Sequence, residues 1–421
     1  QVPFPGTVYR EVSALAMGDR ALLSSDGEDL SVSFSLEFPY LSRLSREDSE
    51  PDTGRLLAVL AEATADALEG RRNARLLLSA GKDSTGLALA LAEAGRHDVT
   101  CVTYAGEGDD EHVFAADVCR RLGLPHRTVS MDSLGDSVPD VLERFFTESP
   151  VPAGDLAQIA TVLAVSGGAA DGEAIVEGTG NDTTFGYLPR VKDRRASRLT
   201  LGRWGWAEGI RSLVPPGSQL NHFLRDPLEF NWTGLRLRYH ETRRLIPGAV
   251  PTTPHWRAVR HDLRGVDFVD RRALLRGRHF EIGCQKEKIG LAARAFGLRA
   301  VHPYQDRCVI DYYFNLPESS RYDRDGLVNK VLLRQLLHEK LGYDESVIGK
   351  RGFQFDGAAF VRRHGALIRA EILQCRLFNR EAAERLAGSI AGVDAGRHFW
   401  HAVVGAYQLA AWHNHSRYLK G

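Results

Sequence analysis

The spacing of apolar and polar positions changes along the chain. Near the amino terminus, Val32, Phe34 and Leu36 alternate with serines after a turn pattern at 24–27, which predicts a short β-strand. Apolar residues at helical spacing then predict a helix over 56–69 that ends at Gly70. The amino-terminal part is therefore expected to be a small β segment followed by a helix.

From residue 74 onward, short apolar runs alternate with helical patterns. The predicted strands are 74–78, 99–104, 127–131 and 174–176, and the predicted helices are 83–94, 111–122, 138–147 and 156–165. This alternation predicts an α/β fold with a doubly wound parallel sheet. Such sheets bind ligands at the carboxyl ends of their strands, so the loops after Leu78, Tyr104 and Val176 are the candidate ligand loops.

Residues 190–280 interrupt the alternation. Between Arg190 and Arg278 there are 19 Lys/Arg and 8 Asp/Glu, although the whole chain has 54 of each. Arginine and aromatic side chains suit an acidic substrate, a peptide or a nucleic acid, and a helical subdomain with a basic exterior explains the pattern equally well. The predicted domains are 1–54 (β segment), 55–190 (nucleotide-binding core), 191–280 (substrate specificity) and 281–421 (helical).

Helical spacing returns after residue 280. The predicted helices are 281–296, 326–341, 358–373, 380–386 and 398–413.

Composition excludes several protein classes. With 43% apolar and 26% charged residues and no net charge, the chain is typical of a globular protein rather than a DNA-wrapping protein or an acidic tail. It has no apolar stretch of about 18 residues, which a membrane span needs, and its first residues do not form a signal peptide. Five cysteines without a C-x-x-C pair argue against a zinc site and favour a reducing, cytoplasmic location. The missing initiator Met suggests a trimmed or partly observed chain.

The clearest chemical pattern is the small-residue loop between the first predicted strand of the sheet and its helix. Amide groups at a helix amino terminus bind anions. At this helix amino terminus, the hydroxyls of Ser79 and Ser84 and the positive charge of Lys82 surround the expected anion position. The spacing is neither that of Walker A nor that of a dinucleotide loop. A carboxylate among phosphates, here Asp83, indicates Mg²⁺, and the alternative is a simple helix cap.

Residues 79–84, S-A-G-K-D-S, resemble the PP-loop of ATP pyrophosphatases, S-G-G-x-D-S, with Ala80 in place of one glycine. That superfamily cleaves ATP between the α- and β-phosphates in order to adenylate a substrate. The resemblance implies ATP as a cofactor, bound by Leu78, Ser79, Gly81, Lys82, Asp83, Ser84, Val102, Tyr104, Gly178 and Gly180.

Three later segments resemble asparagine synthetases and β-lactam synthetases within that superfamily. Residues 177–187, E-G-T-G-N-D-T-T-F-G-Y, are similar to G-E-G-x-D-E-x-F-G-G-Y, which implies Asp182 as a second magnesium ligand beside Asp83. Residues 302–306, H-P-Y-Q-D, resemble the family's R-x-P-F-L-D segment. The segments K-x-x-L-R at Lys330 and K-R-G-F at Lys350 resemble the family's segments whose lysines hold pyrophosphate and stabilise acyl transfer.

The resemblance implies an AMP-forming amide synthetase that uses ATP and Mg²⁺. Glu281, Gln285 and Lys288 are spaced so that they share one helix face, on which Glu281 can accept a proton from an amine. A solvated charged face explains this spacing equally well. The candidate catalytic residues are Lys350, Lys330 and Glu281, and the candidate substrate-binding residues are Thr179, Gln285, Lys288, Tyr304 and Asp306.

The chain also departs from its apparent relatives. Residues 5–45 resemble the end of a glutaminase domain without its nucleophilic cysteine, so release of ammonia from glutamine is not expected. Thr179 stands where asparagine synthetases have Glu and β-lactam-forming members have Tyr, and Thr183 replaces a second Glu. We therefore expect a small-molecule or peptide substrate with a carboxylate and an amine, in specialised metabolism such as antibiotic biosynthesis.

Several alternatives remain open at this point. The chain can use external ammonia like an asparagine synthetase, modify RNA with residues 190–280 as a clamp, or bind ATP without turnover. We expect no membrane partner and no nucleic acid. The protein partners that fit are a second copy of the chain, an amidotransferase or a precursor protein.

Overall fold

The structure is a computed structural model of the chain. It describes residues 6–15, 19–27, 29–36, 49–71, 73–106, 110–167, 173–182, 239–250, 265–275, 286–344, 355–390 and 397–419, and isolated positions elsewhere between 188 and 284. Most of the Arg/aromatic segment therefore lies outside the described residues, and the predicted domain boundaries stay predictions.

An antiparallel hairpin lies near the amino terminus. Its strands are β1 (Asp19–Asp26) and β2 (Asp29–Leu36). The predicted strand at 32–36 is confirmed. The predicted turn is wrong for 24–26, because these residues belong to β1 and the chain reverses only after Gly27, where φ is +67°.

Five parallel strands form the central sheet. They are β3 (Ala74–Leu77), β4 (Thr100–Ala105), β5 (His126–Ser130), β6 (Ala174–Val176) and β7 (Arg299–Val301). Their spatial order is β5-β4-β3-β6-β7, so the direction of winding reverses between β3 and β6. The doubly wound parallel sheet is confirmed, and β7 is an additional strand that the sequence did not predict.

A second small hairpin precedes the helix that carries the K-x-x-L-R segment. It consists of β8 (Tyr322–Asp323) and β9 (Val328–Asn329). The predicted helix over 326–341 is thus wrong in its first turn. The Asp323 carboxylate accepts hydrogen bonds from the Asp325 and Gly326 amides (2.9 and 3.0 Å), which stabilises a turn there instead.

Helices cover both faces of the sheet. In the described residues they are α1 (Thr53–Ala67), α2 (Lys82–Glu93), α3 (Glu111–Leu122), α4 (Met131–Leu134), α5 (Val138–Glu148), α6 (Gln158–Ser166), α7 (Tyr239–Leu245), α8 (Phe268–Leu275), α9 (Glu287–Ala295), α10 (Arg307–Asn315), α11 (Glu318–Arg321), α12 (Val331–Leu341), α13 (Gly357–Gln374), α14 (Arg380–Ser389) and α15 (Arg397–His415). Of the predicted helix 281–296, residues 281–283 and 285 lie outside the described residues. None of these helices is long and apolar enough to cross a membrane.

Two apolar cores flank the sheet, and alternate residues of each strand enter opposite cores. In β3, Leu76 packs with α1, α2 and α12, whereas Leu77 packs with α5, α6, α9 and the carboxyl-terminal helices. Helices from both ends of the chain thus pack on one sheet. This packing brings the loop after β3 close to residues that lie more than 200 positions later.

Candidate functional site

The loop after β3 is held in shape by its own hydroxyls and by a buried acid. Ser79 Oγ accepts a hydrogen bond from the Gly81 amide (3.1 Å), and Ser84 Oγ accepts one from the Ser79 amide (3.1 Å). Glu111 Oε1 accepts a hydrogen bond from the Ala80 amide at 2.7 Å. Gly81 is the residue before α2, so the first amides of that helix lie at the loop. Glu111 was not among the sequence candidates, because its partner is a backbone group.

The loop after β6 packs directly against this first loop, and two glycines permit the contact. A Cβ on Gly178 would lie 3.0 Å from Asp83 Cβ. Gly180 has φ +111°, and a Cβ there would collide with the side chain of Gln305. The two loops that sequence analysis selected are therefore neighbours at the point where the winding of the sheet reverses.

Asp83 and Asp182 contact the same ammonium group. Lys330 Nζ donates to Asp83 Oδ2 at 2.6 Å and also forms an ion pair with Asp182 Oδ1. Burial lowers the pKa of Lys330, but the charges of Asp182 and Asp83 outweigh it and raise that pKa above its ordinary value. Three residues predicted from distant segments thus converge on one point.

Asn181 completes the surroundings of Asp83. Its side-chain amide donates to Asp83 Oδ1 at 2.5 Å, and its own Oδ1 is buried with no hydrogen-bond partner among the described residues. Asn181 was not predicted as a site residue, because it occupies the variable position x of the family pattern.

These oxygen donors fit Mg²⁺. Carboxylate and amide oxygens are hard ligands, and magnesium is usually held by one or two carboxylates together with substrate phosphates. Among the described residues, no group of three or more His, Cys, Asp or Glu side chains could hold a metal ion. Asp83 and Asp182 are two carboxylates at one point, which is the type of ligand that holds magnesium together with nucleotide phosphates.

A second charged cluster lies at the ends of β6 and β7. His302 Nδ1 lies 3.5 Å from Glu177 Oε2, the same oxygen that accepts the Thr179 amide hydrogen bond (2.8 Å), and Lys288 Nζ lies 3.3 Å from Asp155 Oδ2. Burial raises the pKa of Glu177, but His302, Lys288 and the Thr179 hydrogen bond outweigh it and lower that pKa below its ordinary value. Of this cluster, only Lys288 and Thr179 were predicted from the sequence as site residues.

The predicted nucleotide-binding residues of β3 and β4 lie side by side. The Leu78 amide donates to the Val102 carbonyl at 2.9 Å, and Leu78, Val102 and Tyr104 are all buried. Lys82 is the first residue of α2 and is half-buried. These residues and the small-residue loop together line one edge of the sheet.

The predicted substrate-binding residues have contacts within the protein. Tyr304 is fully buried, and its hydroxyl donates to the Asp83 carbonyl at 3.0 Å. Asp306 is the residue before α10, and its carboxylate accepts from the Cys308 amide at 2.9 Å. Lys288 is paired with Asp155, and the Thr179 carbonyl lies 3.4 Å from Gln305 Nε2. Glu281, Gln285 and Lys350 lie outside the described residues.

Comparison with models of protein families gives a match that covers most of the chain. A family model described as "Asparagine synthase" matches residues 55–414. No curated protein sequence matches the chain. The matched range includes both loops, Lys330 and the charged cluster.

Proposed function

The chain belongs to the asparagine synthase family, and on that premise we propose that it joins a substrate carboxylate to an amine in specialised metabolite or peptide biosynthesis. Members of this family are ATP-dependent ligases that form C–N bonds and produce AMP and pyrophosphate. The observation that carries the proposal is the convergence of Asp83, Asp182 and Lys330 beside the amino terminus of α2. This arrangement suits a triphosphate and its metal ion.

In the first proposed step, a carboxylate oxygen of the substrate attacks the α-phosphorus of ATP, and the bond to pyrophosphate breaks. Lys82 and the loop amides bind phosphate oxygens, and Lys330 and Lys350 hold the leaving pyrophosphate. Asp83 and Asp182 would hold Mg²⁺, which supplies charge neutralisation at the phosphates when bound. The product of this step is an acyl-adenylate.

In the second proposed step, the amine nitrogen attacks the acyl carbon, and the bond to AMP breaks. The amine must lose a proton, and Glu281 is the proposed acceptor. Lys350 and Lys330 stabilise the negative charge that develops on the acyl oxygen. The role of Glu281 is proposed from its helical spacing with Gln285 and Lys288, and that of Lys350 from the resemblance of its K-R-G-F segment to the family.

The substrate class is proposed from the loop after β6. By the family resemblance, Thr179 and Thr183 stand where asparagine- and β-lactam-forming relatives have acidic or tyrosine side chains, which supports a substrate different from theirs. A small molecule or peptide that carries both a carboxylate and an amine fits the reaction. A second copy of the chain, an amidotransferase or a precursor protein would be a compatible partner.

Release of AMP and pyrophosphate tests the proposal. The purified chain is incubated with ATP, Mg²⁺ and a panel of carboxylates, which includes aspartate with ammonia and linear peptides that have an acidic side chain and a free amino terminus. Release of AMP and pyrophosphate above background is expected with at least one substrate. If that substrate is a linear peptide, its cyclised product should be lighter by the mass of one water.

The variant Asp83→Ala should reduce this activity by about 100-fold or more, because it removes a proposed metal ligand. Asp66→Ala removes an exposed carboxylate on α1 and serves as the matched control. Wild-type turnover by Asp83→Ala would refute the assignment of the site. Absence of turnover with the whole panel would count against an amide synthetase with these substrates.

A further inference from the structure

The ammonium group of Lys330 occupies the position between the two proposed metal ligands. We propose that Lys330 is an internal counter-cation of Asp83 and Asp182, so that a divalent metal ion binds tightly only together with the nucleotide. The inference rests on the proposed function, because it takes these two carboxylates as the metal ligands.

Both carboxylate oxygens of Asp83 have partners. Oδ2 accepts from Lys330 Nζ at 2.6 Å, and Oδ1 accepts from the Asn181 amide at 2.5 Å. The same Nζ is ion-paired with Asp182. A metal ion approaching without nucleotide would have to displace a cation from the oxygens that it needs as ligands.

The backbone holds Lys330 in this position. Its φ is +59°, in the left-handed region that residues other than glycine rarely adopt, and only 3% of the residue is exposed. Its carbonyl accepts the Arg334 amide hydrogen bond (2.9 Å) at the start of α12, and the β8–β9 hairpin precedes it. The side chain can therefore shift by rotation about its own bonds, while the backbone stays in place.

A triphosphate changes the balance of charges. It brings negative oxygens that can pair with the ammonium group, and the same oxygens supply further ligands to the metal. Lysine is suited to this exchange, because its ammonium group is a compact charge on a flexible chain. Metal and nucleotide should therefore increase each other's affinity by the same factor.

Metal binding in the absence of turnover tests the inference. The probe is Mn²⁺, titrated into wild type, Lys330→Met and Lys340→Met and followed by the signal of free Mn²⁺ in electron paramagnetic resonance. Lys340 is the control, because it is an exposed lysine in α12, the helix that Lys330 directly precedes.

Without nucleotide, Lys330→Met is expected to bind Mn²⁺ at least about tenfold more tightly than wild type, because a competing charge is removed at contact distance. Lys340→Met should bind Mn²⁺ like wild type. Addition of the non-hydrolysable analogue α,β-methylene-ATP should raise the Mn²⁺ affinity of wild type about tenfold or more and that of Lys330→Met by a smaller factor.

Equal Mn²⁺ affinity of wild type and Lys330→Met, with both folded by circular dichroism, would overturn the inference. If the variant does not fold, the measurement on wild type alone still tests the inference. An equal Mn²⁺ affinity of wild type with and without bound analogue would also contradict it. Failure of wild type to bind the analogue at all would instead count against the proposed function.

Discussion

At the scale of single residues, the site consists of partly buried carboxylates that pair with more deeply buried basic side chains. Glu177 and His302 follow the last residues of β6 and β7, and Lys288 adds a positive charge from α9. Each charge would be costly to bury alone and is stabilised by its partners. The Thr179 amide donates to Glu177, so this cluster also fixes the start of the loop that carries Asp182.

Glu177 should therefore contribute to stability in a pH-dependent way. Its pKa in the folded protein is below the ordinary value of 4.5, so its contribution is present above that value and is lost as the pH falls through the folded-state pKa. Glu177→Gln is expected to lower the free energy of unfolding by about 1–3 kcal/mol at neutral pH, since His302 and the buried Lys288 lose a neighbouring carboxylate charge. The difference from wild type should shrink as the pH is lowered below 4.5.

Urea unfolding at a series of pH values measures this effect. Glu62→Gln, which alters an exposed glutamate on α1, should follow the wild-type profile. A constant difference between Glu177→Gln and wild type over the whole pH range would show that the charge of Glu177 does not stabilise the fold.

At the scale of elements, an ion pair joins the two strands that carry the site. Arg75 in β3 donates to both carboxylate oxygens of Glu173, the residue before β6, at 2.5 and 2.6 Å, and it also donates to the Gly167 carbonyl. Arg75 and Glu173 are 3% and 6% exposed. The pair therefore sets the relative position of β3 and β6, and with them the two loops.

Glu173→Gln is expected to destabilise the protein by about 3–5 kcal/mol, because it leaves the Arg75 charge buried without its counter-charge. Urea unfolding at neutral pH measures the change. Glu384→Gln disrupts the exposed pair between Arg380 and Glu384 on α14 and should change stability by no more than about 0.5 kcal/mol. Equal effects of the two variants would contradict the stabilising role of the buried pair.

Elements were predictable where the chain itself carries a repeating pattern. Helix α3 has the predicted bounds and ends before Gly123, whose φ is +66°. Strand β6, which was predicted, has three residues that are all buried and apolar. Strand β7 is equally short but begins with the exposed Arg299, so it lacks a continuous apolar run and was missed. His302 follows β7 directly, so the missed strand is also the reason why His302 was not selected as a candidate.

At the scale of the whole molecule, the amino-terminal hairpin differs from the sheet domain in the exposure of its apolar side chains. One face of the hairpin carries Ala21, Leu23, Val32 and Phe34, which pair across its two strands, and the last three are 64, 45 and 38% exposed. Exposed apolar side chains contribute little to folding stability, because little of their surface is removed from water when the chain folds.

The variant with serine at positions 23, 32 and 34 should therefore have a melting temperature within about 2 °C of wild type. Leu60→Ala, which alters a fully buried side chain of α1, is the contrasting control and should cost about 2–5 kcal/mol. Thermal unfolding of the full chain measures both. A large loss of stability in the serine variant would mean that this face is covered in solution.

The sequence by itself determined the features that depend on neighbouring residues. These are the alternation of strands and helices, the small-residue loop at the start of α2, and the glycine-containing loop after β6. Periodicity and helix-terminus chemistry act over a few residues, so they can be read directly from the chain.

Only the tertiary structure decided how the charges of the site are paired. Lys330 lies 247 positions from Asp83, and the contact between them depends on the packing of α12 beside α2 and on the left-handed backbone at Lys330. The family resemblance suggested that Lys330 belongs to the site. Its position between two carboxylates depends on contacts between distant segments, which local sequence patterns do not contain.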